Sequence, residues 1–126
     1  DPNTQLVCLQ YGDVSDEIDA VKRNFGIEII QFDEVDNTND IDSLASLIMA
    51  CDQIVTTTNV TVHLAGALGA KVTVLLPFSN QWIWGNGSES FWYNSATPLK
   101  QKTHHNWDNV LHNLLSDKCN AIDSEQ

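Results

Sequence analysis

Thr56, Thr57, Thr58, Asn59 and Thr61 crowd one short stretch, and His63 follows two residues later. The stretch lies between an apolar pair, Ile54-Val55, and a run of small residues, Ala65-Gly66-Ala67-Leu68-Gly69. A strand that passes through a polar turn into a helix creates anion chemistry. The first helical turn leaves backbone N–H groups unpaired, and the helix dipole adds partial positive charge there. Short hydroxyl side chains supply further donors without blocking the approach. The sequence therefore predicts a phosphate-type cradle on Thr57, Thr58, Asn59, Val60 and Thr61. A plainer reading stands beside it: Thr58 or Asn59 is the N-cap and Thr61 a first-turn residue. His63 has a plain reading as a half-buried histidine hydrogen-bonded to a neighbouring loop.

Other candidates depend on where the chain brings its turns. In open α/β sheets, ligands gather beyond the carboxyl ends of the strands. Gln10, Tyr11 and Gly12 close the first apolar run and are expected at that edge, as is the segment from Phe78 onward. No catalytic residue is assigned, because a base must reach the proton it removes and nothing in the sequence places His63 so. No metal is expected: His104, His105 and His112 lack a converging Cys or carboxylate. No cofactor is expected either.

The elements that must hold these residues follow from periodicity and punctuation. Strands are predicted at residues 6–10, 27–32, 53–57 and 71–76, with a weak edge strand at 99–102. Ser15 is predicted to cap a helix whose face is Ile18, Val21 and Phe25, ending at Gly26. Asp40 is predicted to cap a second helix with Ile41, Leu44, Ala45, Leu47 and Ile48 at helical spacing. Trp107, Val110, Leu111, Leu114 and Leu115 mark a last helix. Residues 33–39 read as an acidic connector. Residues 78–98 hold Trp82, Trp84, Phe91, Trp92 and Tyr93, too long and too aromatic for a plain loop. An ordered segment is expected there, with Trp82 or Trp84 packed at the sheet edge. Strand–helix repetition implies a three-layer α/β/α sandwich on a mainly parallel sheet of four to five strands. Residues 1–118 are expected to form one domain and 119–126 a flexible tail.

The chain has 126 residues, 42% hydrophobic content and four tryptophans, enough for a packed core. Seventeen acidic residues against six basic ones give a net charge of −11, which argues against nucleic acid and anionic membranes as partners. No run is apolar enough for a membrane helix. Cys8, Cys51 and Cys119 are read as reduced thiols, which fits a cytoplasmic protein. The start at Asp1-Pro2-Asn3-Thr4 has no Met and is expected to mark a piece of a longer chain. The sequons at Asn59 and Asn86 are read as chance triplets.

Residues 56–69, TTTNVTVHLAGALG, followed by Val-Thr-Val-Leu-Leu-Pro at 72–77, resemble the donor-binding half of the heptosyltransferase-like glycosyltransferases of GT-B architecture. The resemblance is closer to the version at the C-terminus of bacterial tetratricopeptide-repeat proteins. LVCLQYG at 6–12, DIDSLASLIMACD at 40–52, and Pro77, Trp82 and Trp84 extend it over residues 5 to 101. The resemblance implies a nucleoside-diphosphate sugar as ligand, with its diphosphate on the helix start at Asn59 to Thr61. It also implies His63 behind the turn, ribose contacts from Asp40 and Asp42, and an acceptor domain or helical repeats elsewhere. Trp82, in the Trp-rich segment, is a separate candidate to stack on a base or a sugar ring. The chain departs from the pattern at Thr58, where Asp is common, and at Lys71, where Pro is usual. An early strand with a basic phosphate contact is missing. The resemblance thus implies a donor-binding portion that is inactive by itself; the alternative is a non-catalytic interaction module derived from such a domain. A Rossmann or flavodoxin-like cofactor binder is a third reading, and no Gly-x-Gly-x-x-Gly follows any strand.

Overall fold

The computed structural model of the chain describes residues 3–85 and 89–123. The elements in order are β1 (Leu6–Val7), α1 (Ser15–Phe25), β2 (Ile29–Ile30), α2 (Ile41–Ala50), β3 (Ile54–Thr57), α3 (Val60–Ala67), β4 (Val72–Leu76), a 3-10 turn (Trp82–Trp84), β5 (Ala96–Lys100) and α4 (Asp108–Asp123). The fold is α/β, and the pairings β1–β2, β3–β4 and β4–β5 are all parallel. The strands form a two-stranded and a three-stranded sheet. The chain divides into two compact units, Asp1–Leu47 and Ile48–Gln126.

In the first unit, Leu6 pairs with Ile29 and Val7 with Ile30. The ladder continues one bond further, from Cys8 N–H to the Ile30 carbonyl at 2.9 Å. It then stops short of the expected residue 10, for a local reason. The carbonyls of Leu9 and Gln10 accept instead from the Asn37 side-chain amide, at 3.0 and 3.4 Å. Ser15 does not cap α1, as its sequence position suggested. The N-cap is Val14, which makes no side-chain cap bond; Asp13 before it accepts on Oδ1 from both the Ser15 N–H and the Ser15 hydroxyl. Asp16 and Glu17 lie in the first turn and Lys22 and Arg23 in the last, the order the dipole favours. Ile18 and Val21 are half-buried, but Phe25, expected on the same face, is 73% exposed. Asp40 does cap α2: its Oδ1 accepts from Ser43 N–H at 3.1 Å and its Oδ2 from the Ser43 hydroxyl at 2.6 Å. Leu44 and Ile48 are buried along α2, whereas Ile41 is exposed.

In the second unit, β4 is the middle strand, and Val72, Thr73, Val74 and Leu76 are all buried. A strand covered on both faces reads as a continuous apolar run, which is why VTVLL stands out in the sequence. The one hydroxyl in it, on Thr73, accepts from Gln53 Nε2 at 3.1 Å. α3 ends in a Schellman motif: Ala70 N–H bonds to the Ala65 carbonyl and Gly69 N–H to the Gly66 carbonyl. Gly69 takes φ +74°, the left-handed conformation that the motif requires and glycine adopts without strain.

β5 differs from the expected 99–102. It starts at Ala96 and pairs with β4 from Val72–Ala96 to Leu76–Lys100. Pro98 falls inside it, opposite Val74, and an edge strand tolerates the missing N–H. The parallel pairing obliges residues 77–95 to cross over the sheet. Trp84 anchors that crossover at 1% exposure, while Trp82 is 79% exposed. Of the two tryptophans expected at the edge, the structure buries only Trp84. Gln101, 5% exposed, fixes the start of the crossover by accepting from Phe78 N–H at 2.9 Å. In α4, Val110 is buried and Leu114 half-buried, but Leu111 and Leu115 of the expected face are exposed. The helix runs to Asp123, past the expected start of the tail at 119, and residues 124–126 lie outside the described residues.

Trp84→Ala is expected to destabilise the protein by about 3–5 kcal/mol, the usual cost of emptying a buried aromatic site. Trp82→Ala is expected to change stability by less than about 0.5 kcal/mol. Urea denaturation of both variants, followed by far-UV circular dichroism, checks the contrast.

Candidate functional site

β3 delivers the polar turn to the carboxyl end of its sheet, and α3 begins directly after it. Asn59 is extended, at φ −147° and ψ −175°, and is the N-cap of α3. Its Oδ1 accepts from Val62 N–H at 3.3 Å and from the Thr56 hydroxyl at 3.2 Å. Two of the six polar side chains in this stretch are therefore spent on closing the turn. The cap satisfies one helix-start amide and leaves those of Val60 and Thr61 to other partners. Val60 is 63% exposed and Thr61 is buried. Thr57 is exposed beside them.

Thr58 points to the crossover. Its hydroxyl donates to Gln81 Oε1 and accepts from the Trp84 indole N–H, each at 3.4 Å. His63 faces the same segment. Its Nδ1 lies 3.0 Å from the Tyr93 hydroxyl. Its ring stacks on Trp84 with centroids 5.8 Å apart and meets Tyr93 edge-on at the same distance. Tyr93 in turn lies against Gly66. A Cβ there would come within 2.7 Å of both ring Cδ atoms, so the contact requires glycine. The structure thus gathers Thr58, His63, Gly66, Gln81, Trp84 and Tyr93 into one contact network. Gln81 and Tyr93 escaped the sequence reading. Gly66 was their one signal, a glycine in mid-helix that marks close approach by something large.

Gln10, Tyr11 and Gly12 belong to the first unit. With Cys8, Gln31 and Asn37 they line a cavity of about 250 Å³ beyond the carboxyl ends of β1 and β2. Asn37 Oδ1 is buried there without a hydrogen-bond partner, while its amide nitrogen holds the two carbonyls of the first turn. The supposed connector at 33–39 is a built structure. Asp36 Oδ1 accepts from the Thr38 and Asn39 amides, each at 2.9 Å, and Oδ2 from Asn39 Nδ2. Asp40 lines a separate open groove of about 580 Å³ with Phe32, Val35, Asp42, Ser43, Ser46 and Leu47. Both its carboxylate oxygens are already engaged by Ser43.

Hydrogen bonds lower three carboxyl pKa values. For Asp36 the donors are Asn39, through side chain and backbone, and then Thr38. For Asp40 and Asp13 they are Ser43 and Ser15, each through side chain first and backbone second. The Cys51 thiol is pushed up, first by burial and then by Asp52. Cys8 and Cys51 are free thiols. Among the described residues, no group of three His, Cys, Asp or Glu converges as a metal site would require, and no helix is long and apolar enough to cross a membrane. The sequon at Asn86 lies outside the described residues.

Over 112 residues, 87% of its length, the chain is 34% identical to protein FlbA of Caulobacter vibrioides. The chain spans 18% of the length of FlbA. No profile of a known protein family matches the chain, and no solved structure matches it.

Gly66→Ala is expected to expel the Tyr93 ring and break its contact with His63, which near-UV circular dichroism and the His63 ring signals in NMR spectra will register. Acid titration supplies a second expectation. Asp13, Asp36 and Asp40 have folded pKa values below the ordinary 3.8. Their stabilisation is therefore full above that value and is lost as pH falls through the lowered folded values. The melting temperature should fall as the pH drops below about 4, less steeply in Asp36→Asn and Asp40→Asn variants. Calorimetry across that range checks it.

Proposed function

We propose that this chain is the donor-binding portion of a GT-B glycosyltransferase, taking the diphosphate of a nucleoside-diphosphate sugar at the start of α3. The observation that carries the reading is the β3–α3 junction. A parallel strand ends in hydroxyl residues, Asn59 spends its side chain on one amide, and the amides of Val60 and Thr61 follow as donors. The resemblance over residues 5 to 101 supports the same reading. So does the uniformly parallel pairing, which suits a Rossmann-like three-layer sandwich on one mainly parallel sheet of four to five strands. The free thiols Cys8 and Cys51 suit a cytoplasmic setting.

The portion binds and does not catalyse by itself. Group transfer needs both substrates held in register, and an acceptor domain or helical repeats would supply the second. At Thr58, where the resembled enzymes commonly carry Asp, the hydroxyl is tied to Trp84 and Gln81. That substitution, with the net charge of −11, favours the second reading, a non-catalytic interaction module.

Titration of UDP, GDP and ADP into labelled protein separates the two. In the donor-binding reading the amide signals of residues 57–63 shift, Val60→Pro weakens the response by removing one donor amide, and no sugar is transferred. A folded chain whose signals in this stretch ignore all three nucleotides is the interaction module. Turnover by the chain alone would refute the claim that it only binds.

A further inference from the structure

His63 is the fourth residue of α3, and a helical side chain leans back over the turn before its own Cα. The imidazole is thereby carried toward Asn59 and Val60, where the helix begins. Its contacts agree: the ring stacks on Trp84, whose indole N–H reaches the Thr58 hydroxyl in the same turn. Nδ1 is taken by the Tyr93 hydroxyl at 3.0 Å, and Nε2 has no partner among the described residues. Thr61, the second residue of α3, also leans back toward the turn. It is 9% exposed, yet its hydroxyl bonds to nothing among the described residues and is not sealed off as Asn37 Oδ1 and Ser95 Oγ are. Ser46 and Ser116 return their hydroxyls to the carbonyl four residues back, but Thr61, in the first turn, has no such carbonyl inside its helix. Its hydroxyl stays open to a group from outside the chain.

Three separate contacts fix Tyr93 against His63. The Ser90 hydroxyl accepts from Tyr93 N–H at 3.2 Å, the Tyr93 carbonyl accepts from Ala96 N–H at 3.1 Å, and the ring lies over the bare Cα of Gly66. A phenol is a better hydrogen-bond donor than acceptor, and an unprotonated imidazole nitrogen is a strong acceptor. The hydroxyl therefore donates to Nδ1, and the proton of the neutral ring sits on Nε2. We infer that Tyr93 is the positioning residue of the anion site at the start of α3. It fixes the orientation and tautomer of His63, so that Nε2–H joins the Val60 and Thr61 amides and the Thr61 hydroxyl as donors to a phosphate group. The inference rests on the anion-binding reading of α3 given above. β3, α3 and β4 carry no lysine or arginine, so the donors these elements offer are neutral. An imidazole held with its N–H toward the turn adds one more without adding charge.

Inorganic phosphate and UDP are titrated into nitrogen-labelled wild type, Tyr93→Phe, His63→Ala and the double variant. The imidazole nitrogens are read by long-range proton–nitrogen correlation. Tyr93→Phe keeps the ring on Gly66 and removes only the hydroxyl. The wild type is expected to show a protonated Nε2 and a bare Nδ1, and Tyr93→Phe a mixture of both forms. Amide signals of residues 57–63 are expected to shift with either ligand. Tyr93→Phe should weaken binding about three- to fivefold, and His63→Ala at least as much. In the His63→Ala background Tyr93→Phe should cost nothing further, because its effect passes through the imidazole. A proton on Nδ1 in the wild type overturns the inference, and so does equal affinity of wild type and Tyr93→Phe. An effect of Tyr93→Phe that persists without His63 overturns it as well, since Tyr93 then acts by packing or by touching the ligand itself. Silence of residues 57–63 in the wild type is a different failure: it refutes the anion-binding reading, and this inference with it, whichever nitrogen carries the proton.

Discussion

β4 and β5 run parallel, and two parallel neighbours cannot be joined by a tight turn. The chain must leave the end of β4, cross the sheet and re-enter at the start of β5. An α/β unit usually solves this with a helix; here the described residues of the 77–95 segment carry a 3-10 turn and a set of aromatic rings. A single short turn supplies fewer internal backbone bonds than a helix would. Side chains provide them: Gln101 takes the Phe78 amide, Asn80 holds the Gln81 and Gly85 carbonyls, and Ser90 takes the Trp92 and Tyr93 amides. Trp84 is the buried aromatic ring of the segment.

The same constraint shapes the candidate site. The crossover leaves the carboxyl end of β4 next to the turn that follows β3, so its residues meet the start of α3. Thr58 and His63 are accordingly engaged by Trp84, Gln81 and Tyr93. The segment between Lys71 and Lys100 holds no basic residue that could add attraction for an anion at the Val60 and Thr61 amides. Within contact distance the helix-start donors favour an anion, while the net charge of −11 opposes its approach.

Local chemistry in both units is dominated by short polar side chains that bond to nearby backbone. Asp13, Asp36, Asp40 and Asn59 each accept from amides two or three residues ahead. Such bonds need only the right residue at the right offset, so they are legible in sequence. The cap at Asp40 was readable for that reason, and that of α3 was narrowed to Thr58 or Asn59. The start of α1 was not, because its N-cap is Val14, which offers no side-chain acceptor, and Ser15 is the first helical residue.

The sequence by itself determined the order of strands and helices, the apolar strand VTVLL, the stop at Gly69 and the polar turn before α3. Each depends on periodicity or on conformational preference within a few residues. It also marked residues 78–98 as ordered aromatic structure. Tertiary structure alone decided which tryptophan is buried, that β5 begins at Ala96 and accepts Pro98, and that β1 ends where Asn37 captures two carbonyls. It alone placed Tyr93 on Gly66 and His63 on Tyr93. These outcomes join residues some 30 positions apart, and no local pattern encodes such a contact: the partner is chosen by packing, after the chain has crossed the sheet.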